Sequence, residues 1–437
     1  TTPRDTLERR LDLVSVTALV IGEVIAVGIF LTPAGMAKSL GSPLWLLVVW
    51  LTMGAMALCG AWCYGELAAR FPEPGGGYVY LGRVYGPGVA FLYGWKCLLV
   101  MDPGITAALG MGLASYVGYL VALSPMGVKA VALGAIVALA AVNVVGLRLG
   151  AGLMRWLTAL KLGALALIVL LALGSGAGDW SHFVPLVAQR PGSSPLPGAL
   201  APALVGAFFA FGGWWEVSKM AGEARDPARI MPRALALGVV IVTFVYVVTS
   251  AVFLYLVPPE RVTSGETFVA QAGVMLFGPA GGQVFAAIVV VSVLGSLAVL
   301  LMALTRVYYA MARDGVFFRA VGAVHPRFGT PARAIALQAT LASLLVVLGT
   351  FNQIVAYFIF VTVAFIALTV AGVFVLRRRA VGPPAFRVPG YPAPVVVFLA
   401  LAVGLLVLLA AYNPLQAFLG IAIVALGVPV YRVMGPR

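Results

Sequence analysis

The sequence predicts an all-α polytopic membrane protein with about twelve transmembrane helices. Three observations carry this. Hydrophobic residues make up 62% of the 437 and charged residues only 10%, where a soluble domain is nearer half apolar and a quarter charged. The apolar residues fall into runs near the length that a bilayer crossing needs. The net charge of +14 is unevenly distributed. Taking the spans in alternation, one side collects Arg4, Arg9, Arg10, Arg70, Arg83 and the arginines of 225–233, 306–333 and 377–387, whereas the other holds Lys38, Lys129, Arg190 and Arg261. The positive-inside rule places the basic side and both termini in the cytoplasm; a plasma (inner) membrane is the expected location. The basic balance is therefore a topology signal, and no nucleic-acid partner is expected.

Span one is expected over 13–38 and span two over 43–69, closed by the breaker run Phe71-Pro72-Glu73-Pro74-Gly75-Gly76-Gly77. Spans three, four and five follow over 86–121, 127–145 and 151–173. An outer loop rich in Gly, Ser and Pro comes next. Spans six and seven are expected over 198–222 and 231–257. The stretch 258–279 is too polar to cross and reads as short surface helices. Spans eight to ten fall over 283–313, 331–349 and 353–376, and after a polar run come spans eleven and twelve over 394–412 and 414–431. The opening arginines lead into an apolar run too long for a cleavable signal.

Two spans carry glycines where a helix should be continuous. Span one contains Gly22-Glu23-Val24-Ile25-Ala26-Val27-Gly28-Ile29-Phe30, and span six contains Phe209-Ala210-Phe211-Gly212-Gly213-Trp214-Trp215-Glu216. Glycine is a poor helix former, and a charge in lipid is costly. Broken helices at membrane depth are tolerated where they line a cavity or are buried in protein; close glycine packing between helices is the plainer alternative. The two interrupted spans are five apart, the offset of two five-helix repeats, and an odd number inverts the second in the membrane. The chain thus divides into a first repeat at 1–175, an outer loop at 176–197, a second repeat at 198–376, and a cytoplasmic loop with two further helices at 377–437.

Opened backbone offers N–H groups on one side and C=O groups on the other, which suits the carboxylate and ammonium of an amino acid. The N–H groups of Ala26, Val27 and Gly28 are assigned to the carboxylate. The C=O groups of Ile25, Phe209, Ala210 and Gly212 are assigned to the ammonium, with Phe209 or Phe211 as a covering gate. Lys161 lies roughly 14 Å into span five at 1.5 Å per residue, too deep to reach the interface easily, so it should face the interior and find partners. Ser292 and Ser296, one turn apart on span eight, are the candidate acceptors. Glu23, one turn before the first break, is read as lining an inner vestibule, in an ion pair or as a proton carrier. Lys96 and Asp102 are read as neutralising each other or tuning a polar path, and Glu216 as pairing with Lys219.

These residues and motifs resemble the amino acid–polyamine–organocation superfamily, and within it the L-amino acid transporter branch. Gly22 to Phe30 is similar to the first-helix glycine signature. Pro74-Gly75-Gly76-Gly77-Tyr78-Val79-Tyr80-Leu81 with Tyr85-Gly86-Pro87 is similar to the entry into helix three. Phe209 to Trp214 with Glu223-Ala224-Arg225-Asp226-Pro227 resembles helix six and its following loop. Arg306-Val307-Tyr308-Tyr309-Ala310-Met311-Ala312-Arg313-Asp314-Gly315 resembles the end of helix eight. The resemblance implies a LeuT-like fold with discontinuous helices 1 and 6, alternating access, and amino acid uptake or exchange without chemistry. It also implies that Lys161 stands where sodium sits in sodium-coupled relatives, hence sodium-independent transport. The chain departs from the family pattern where Ala26-Val27 replace a Gly-Ser pair and where Ala298 replaces an asparagine frequent in relatives.

The expected function is exchange of neutral amino acids; proton-coupled symport and transport of cationic amino acids or polyamines are the alternatives. An embedded enzyme would need nucleophiles, carboxylates or metal ligands gathered at one depth, and no such group is visible, so no catalytic residue, metal or cofactor is expected. Cys59, Cys63 and Cys97 all fall in apolar segments. With none in the outer loop near Ser124, no disulfide-linked ancillary subunit is expected.

Overall fold

The computed structural model describes residues 11–25, 28–73, 75–145, 151–261, 267–304, 308, 311–312, 318, 320–379 and 385–434. Everything regular among them is helical apart from one isolated bridge, Leu11 to Ala224. Nine segments are long and apolar enough to cross a membrane, and three shorter apolar helices, Ala159–Ser175, Leu196–Ala210 and Ala332–Leu348, accompany them among the described residues.

The first span is three helices, α1 (Leu13–Val24), α2 (Gly28–Leu31) and α3 (Pro33–Leu40). Asp12 caps α1, its carboxylate accepting the Ser15 N–H at 2.9 Å. The second span is α4 (Pro43–Arg70), opened by the Ser42 cap and Pro43. A helix not foreseen in the sequence, α5 (Gly77–Tyr85), follows the glycine run. The third span is α6 (Pro87–Lys96) and α7 (Asp102–Leu120), joined by a π-helical turn over Cys97–Met101. Then come α8 (Pro125–Val145), α9 (Ala151–Ser175) and α10 (Leu196–Ala210). α10 stops twelve residues short of the expected end of span six, at a turn leading into a 3-10 segment over Glu216–Glu223. α11 (Pro227–Leu256) precedes α12 (Phe268–Ala303). The outer stretch expected as short surface helices holds a 3-10 turn, Pro259–Arg261, and a helix from Phe268 that the non-helical Gly278, with φ 68°, separates from the spanning part of α12. α13 (Ala332–Leu348), α14 (Phe351–Arg378), α15 (Ala393–Tyr412) and α16 (Pro414–Met434) complete the chain. A Thr350–Gln353 capping box starts α14.

Two groups of helices form the interior. In one, α11 packs on α4 and α1, and α10 packs on α3 and α4; in the other, α7, α8, α12 and α13 pack on one another. α9 touches both α11 and α12, and α14 touches α4, α7 and α10. Small residues allow the closest approaches. A Cβ on Gly54 would lie 2.5 Å from the Thr243 side chain, and one on Gly238 would lie 2.4 Å from that of Val20.

At the end of α4 the carboxylate of Glu66 is buried, with 1% exposure. Oε1 accepts from Arg70 Nη2 at 3.2 Å and Arg377 Nε at 3.2 Å, while Oε2 accepts from Arg377 Nη2 at 2.6 Å and the Val388 N–H at 2.9 Å. The Arg377 guanidinium lies 3.8 Å from the Tyr391 ring centroid. One carboxylate thereby ties α4 to the end of α14 and to the chain entering α15. Glu66→Ala would strand two arginines beside a buried site, a change that costs about 3 kcal/mol where buried pairs are broken. The variant should melt several degrees lower in detergent; an unchanged midpoint would show the clamp to be energetically idle.

Candidate functional site

α1 ends at Val24, and Ile25, with φ −78° and ψ 38°, leaves the helical path; α2 restarts at Gly28. Ala26 and Val27, assigned to the carboxylate in the sequence, lie outside the described residues. α10 ends at Ala210, and Gly213 turns the chain with φ 108°, a conformation that glycine adopts freely.

The two interruptions touch each other. A Cβ on Gly28 would lie 2.2 Å from Ala210 Cα, and one on Gly213 would lie 3.2 Å from the Glu23 carbonyl oxygen. Several peptide groups released at the breaks are satisfied locally. The Thr32 N–H and hydroxyl both donate to Gly28 O at 3.0 Å. The Tyr116 hydroxyl donates to Phe30 O at 2.7 Å, and Gly212 N–H donates to Phe209 O at 3.0 Å. Tyr246 Oη lies 2.9 Å from Val24 O and 2.8 Å from Ala210 O. Of the carbonyls assigned to an ammonium, those of Phe209 and Ala210 therefore already accept from the protein, and Ala210 O, with the Tyr246 hydroxyl as its donor, keeps a second lone pair.

The two candidate gate rings differ. Phe211 is 1% exposed and packs against Trp50 and Tyr246, with centroids 6.1 and 5.2 Å away. It also lines a small apolar cavity with Met53, Met56 and Ala57, so it is held in the packing behind the break. Phe209 meets Phe351 and Phe358 edge-on at 5.8 and 6.1 Å. Because Phe358 in turn fills the space beside Gly104, Phe209 links the second break to α7 and α14.

Lys161 is buried and donates from Nζ to Ser296 Oγ at 2.9 Å. Ser292 Oγ, equally buried, has no hydrogen bond among the described residues, and of the two candidate acceptors it is Ser296 that meets the ammonium. Next to Ser296 along α12, the Asn143 amide of α8 donates to Ala298 O at 3.0 Å. Glu23 is exposed and within electrostatic reach of Glu216, Lys219 and Lys161. Glu216 and Lys219 form the ion pair expected of them.

Lys96 and Asp102 make no direct ion pair among the described residues. The π-helical turn between them sends each to its own partners. Lys96 Nζ lies 3.0 Å from Met101 Sδ and 4.6 Å from the Tyr93 ring centroid. Asp102 Oδ2 accepts from the Tyr308 hydroxyl at 2.7 Å. No group of three His, Cys, Asp or Glu side chains suited to a metal occurs among the described residues, and all three cysteines are free.

Sequence reasoning missed Tyr116, Asn143 and Tyr246. The signal available was a polar tip inside an apolar helix, which has to find a partner there; the identity of the partner was not written in the local sequence.

Apolar helices crossing the bilayer, with two of them interrupted against each other, define a multi-pass membrane transporter. The family model described as amino acid permease matches residues 11–428, and the chain belongs to that family. It is 30% identical over 436 residues to the serine/threonine exchanger SteT of Bacillus subtilis (strain 168), covering 99% of this chain and 98% of that protein. It is 28% identical over 442 residues to the large neutral amino acids transporter small subunit 2 of Homo sapiens, covering 97% and 80%. It is also 28% identical over 380 residues to the human b(0,+)-type amino acid transporter 1, covering 85% and 76%. The resemblance read from the sequence is thereby borne out, and with it membership of a family of transporters rather than enzymes.

The contact at Gly28 generates a prediction. Gly28→Ala places a methyl against the Ala210 backbone, which cannot yield as a flexible side chain would. Amino acid uptake into proteoliposomes should fall at least about tenfold, as expected when a working geometry is displaced by an ångström. Gly22→Ala, with nothing within 4 Å of the added Cβ, should transport normally.

Proposed function

We propose that the protein exchanges neutral L-amino acids across the plasma membrane by alternating access, independently of sodium. The observation that carries the reading is the contact of the two broken helices at Gly28 and Ala210. On this reading the fold is LeuT-like. The segments 1–175 and 198–376 are inverted repeats, and spans one and six are the discontinuous pair among twelve. The N–H groups of Ala26, Val27 and Gly28 hold the carboxylate; the C=O groups of Ile25, Phe209, Ala210 and Gly212 hold the ammonium, with Phe209 as the gate. Phe211 supports the second break from behind.

Lys161 supplies a tethered positive charge, tying α9 to α12 through Ser296 where a free cation would otherwise act. Neutral substrates are favoured because the lining is apolar and the names of the relatives point to serine, threonine and large neutral amino acids. Both termini are cytoplasmic by the distribution of arginine. No disulfide-linked ancillary subunit joins the chain, whose cysteines are confined to helices.

Glu23, open to solvent near Lys161 and the Glu216–Lys219 pair, favours one second reading, proton-coupled symport. Proteoliposomes separate the two. Exchange requires internal amino acid and is unchanged when choline replaces sodium. Concentrative uptake into empty vesicles under an inward proton gradient would replace exchange with symport. Lys161→Ala should reduce exchange at least about tenfold, since it leaves buried acceptors without their charge; wild-type rates in that variant would remove Lys161 from the mechanism.

A further inference from the structure

The geometry points to Tyr246 as a positioning residue that fixes the spacing between the two halves of the binding site, and so selects α-amino acids over amino acids with more widely separated charges. This rests on the proposed reading that both breaks hold one amino acid.

Tyr246 belongs to α11, which contains neither break. Its side chain is fully buried, and its hydroxyl reaches the last residue of each interrupted helix, Val24 O at 2.9 Å and Ala210 O at 2.8 Å. A helix ends with carbonyls that lack an intrahelical donor, and one left unpaired away from water is expensive. The tyrosine hydroxyl has a single proton, so it serves both oxygens as a three-centre donor. The ring has little freedom to leave this position. Trp50 packs edge-on against it at 5.1 Å and Phe211 at 5.2 Å, arrangements aromatic rings prefer. One hydroxyl thus joins two helix ends that are remote in sequence. It does so beside the contacts of Gly28 with Ala210 and of Gly213 with Glu23.

The consequence for recognition is geometric. In an α-amino acid one carbon separates the carboxyl from the ammonium. With the carboxylate on the first break and the ammonium reaching the carbonyls of the second, the distance between the breaks selects for that separation, and an added methylene misplaces one end by about 1 Å, enough to lose well-oriented contacts. Tyr246 also holds Ala210 O, one of the oxygens assigned to the ammonium, in a set direction while leaving its second lone pair for substrate.

The test compares wild type with Tyr246→Phe in proteoliposome exchange of labelled amino acid, reading KM, turnover and the ratio of inhibition by α-alanine and β-alanine. Tyr246→Phe keeps the ring and deletes only the donor. KM should rise about five- to tenfold, the loss expected for one buried hydrogen bond. Turnover should stay within about twofold, and the α/β ratio should shrink by a similar factor. A residue that merely packs would lower the melting temperature and leave KM and the ratio alone, and that result overturns the proposal.

Where the phenylalanine variant does not fold, Trp50→Phe loosens the ring while keeping the hydroxyl. The same narrowing of the ratio is then expected, and an unchanged ratio overturns the proposal. Gly28→Ala in the same assay separates the two levels. Normal exchange in that variant defeats the reading of the breaks, whereas its loss together with wild-type behaviour of Tyr246→Phe defeats only the role of Tyr246.

Discussion

A peptide group set free from a helix inside a membrane has no water to turn to, and the structure depends on how that need is met. Two interrupted helices release donors and acceptors at one place. Left alone they would either refold into continuous helix or draw in water. Here they are held open by groups from elsewhere in the chain: the Tyr246 hydroxyl at the ends of α1 and α10 and the Tyr116 hydroxyl at Phe30. Each bond removes one reason for the helix to close, and each also fixes a direction. The groups that remain available to a solute are therefore few and oriented, which is the condition for binding a small molecule at low reorganisation cost.

The same accounting explains the buried charges. Glu66 is matched by two arginines and a backbone N–H, so its burial anchors the ends of α4 and α14 instead of straining them. Glu216 and Lys219 neutralise each other on the 3-10 segment after the second break. Lys96 and Asp102 are close in sequence and opposite in sign, yet the extra residue of a π-helical turn directs them apart, one toward an aromatic face and a thioether, the other toward Tyr308. Helical turns of this kind occur frequently at functional positions.

The features legible in the sequence were those encoded locally. Hydropathy located the spans, and the glycines at 28, 212 and 213 marked where helices fail, because both signals arise within a few residues; Gly22 stays inside α1. Lys161 was legible because a charge so deep in an apolar run must face inward, and Ser296 was reachable from helical spacing. The missed features depend on partners distant in sequence. Nothing around Tyr246 indicates that its hydroxyl meets Val24 and Ala210, and nothing around Glu66 announces Arg377. α5 was overlooked because its glycine-rich entry reads as loop. The turn signal at Gly278 and Pro279 marks a real break, where the helix begun at Phe268 ends and the spanning part of α12 starts. Ala26 and Val27 are legible only as composition, since they lie outside the described residues.

On the proposed reading, the difference between a bound cation and a tethered one decides what drives the cycle. A dissociable ion enters from one side and leaves on the other, so its gradient does work on the substrate. The Lys161 ammonium cannot leave: it returns with the protein in whatever state it went out, and while its proton is retained it contributes no net transfer of charge. The structural part of the ion's role, bridging α9 to α12 through Ser296, survives, while the energetic part is lost. What remains to bias the return of the carrier is the substrate itself, bound from the opposite side, and a transporter whose return depends on a second substrate molecule is an exchanger.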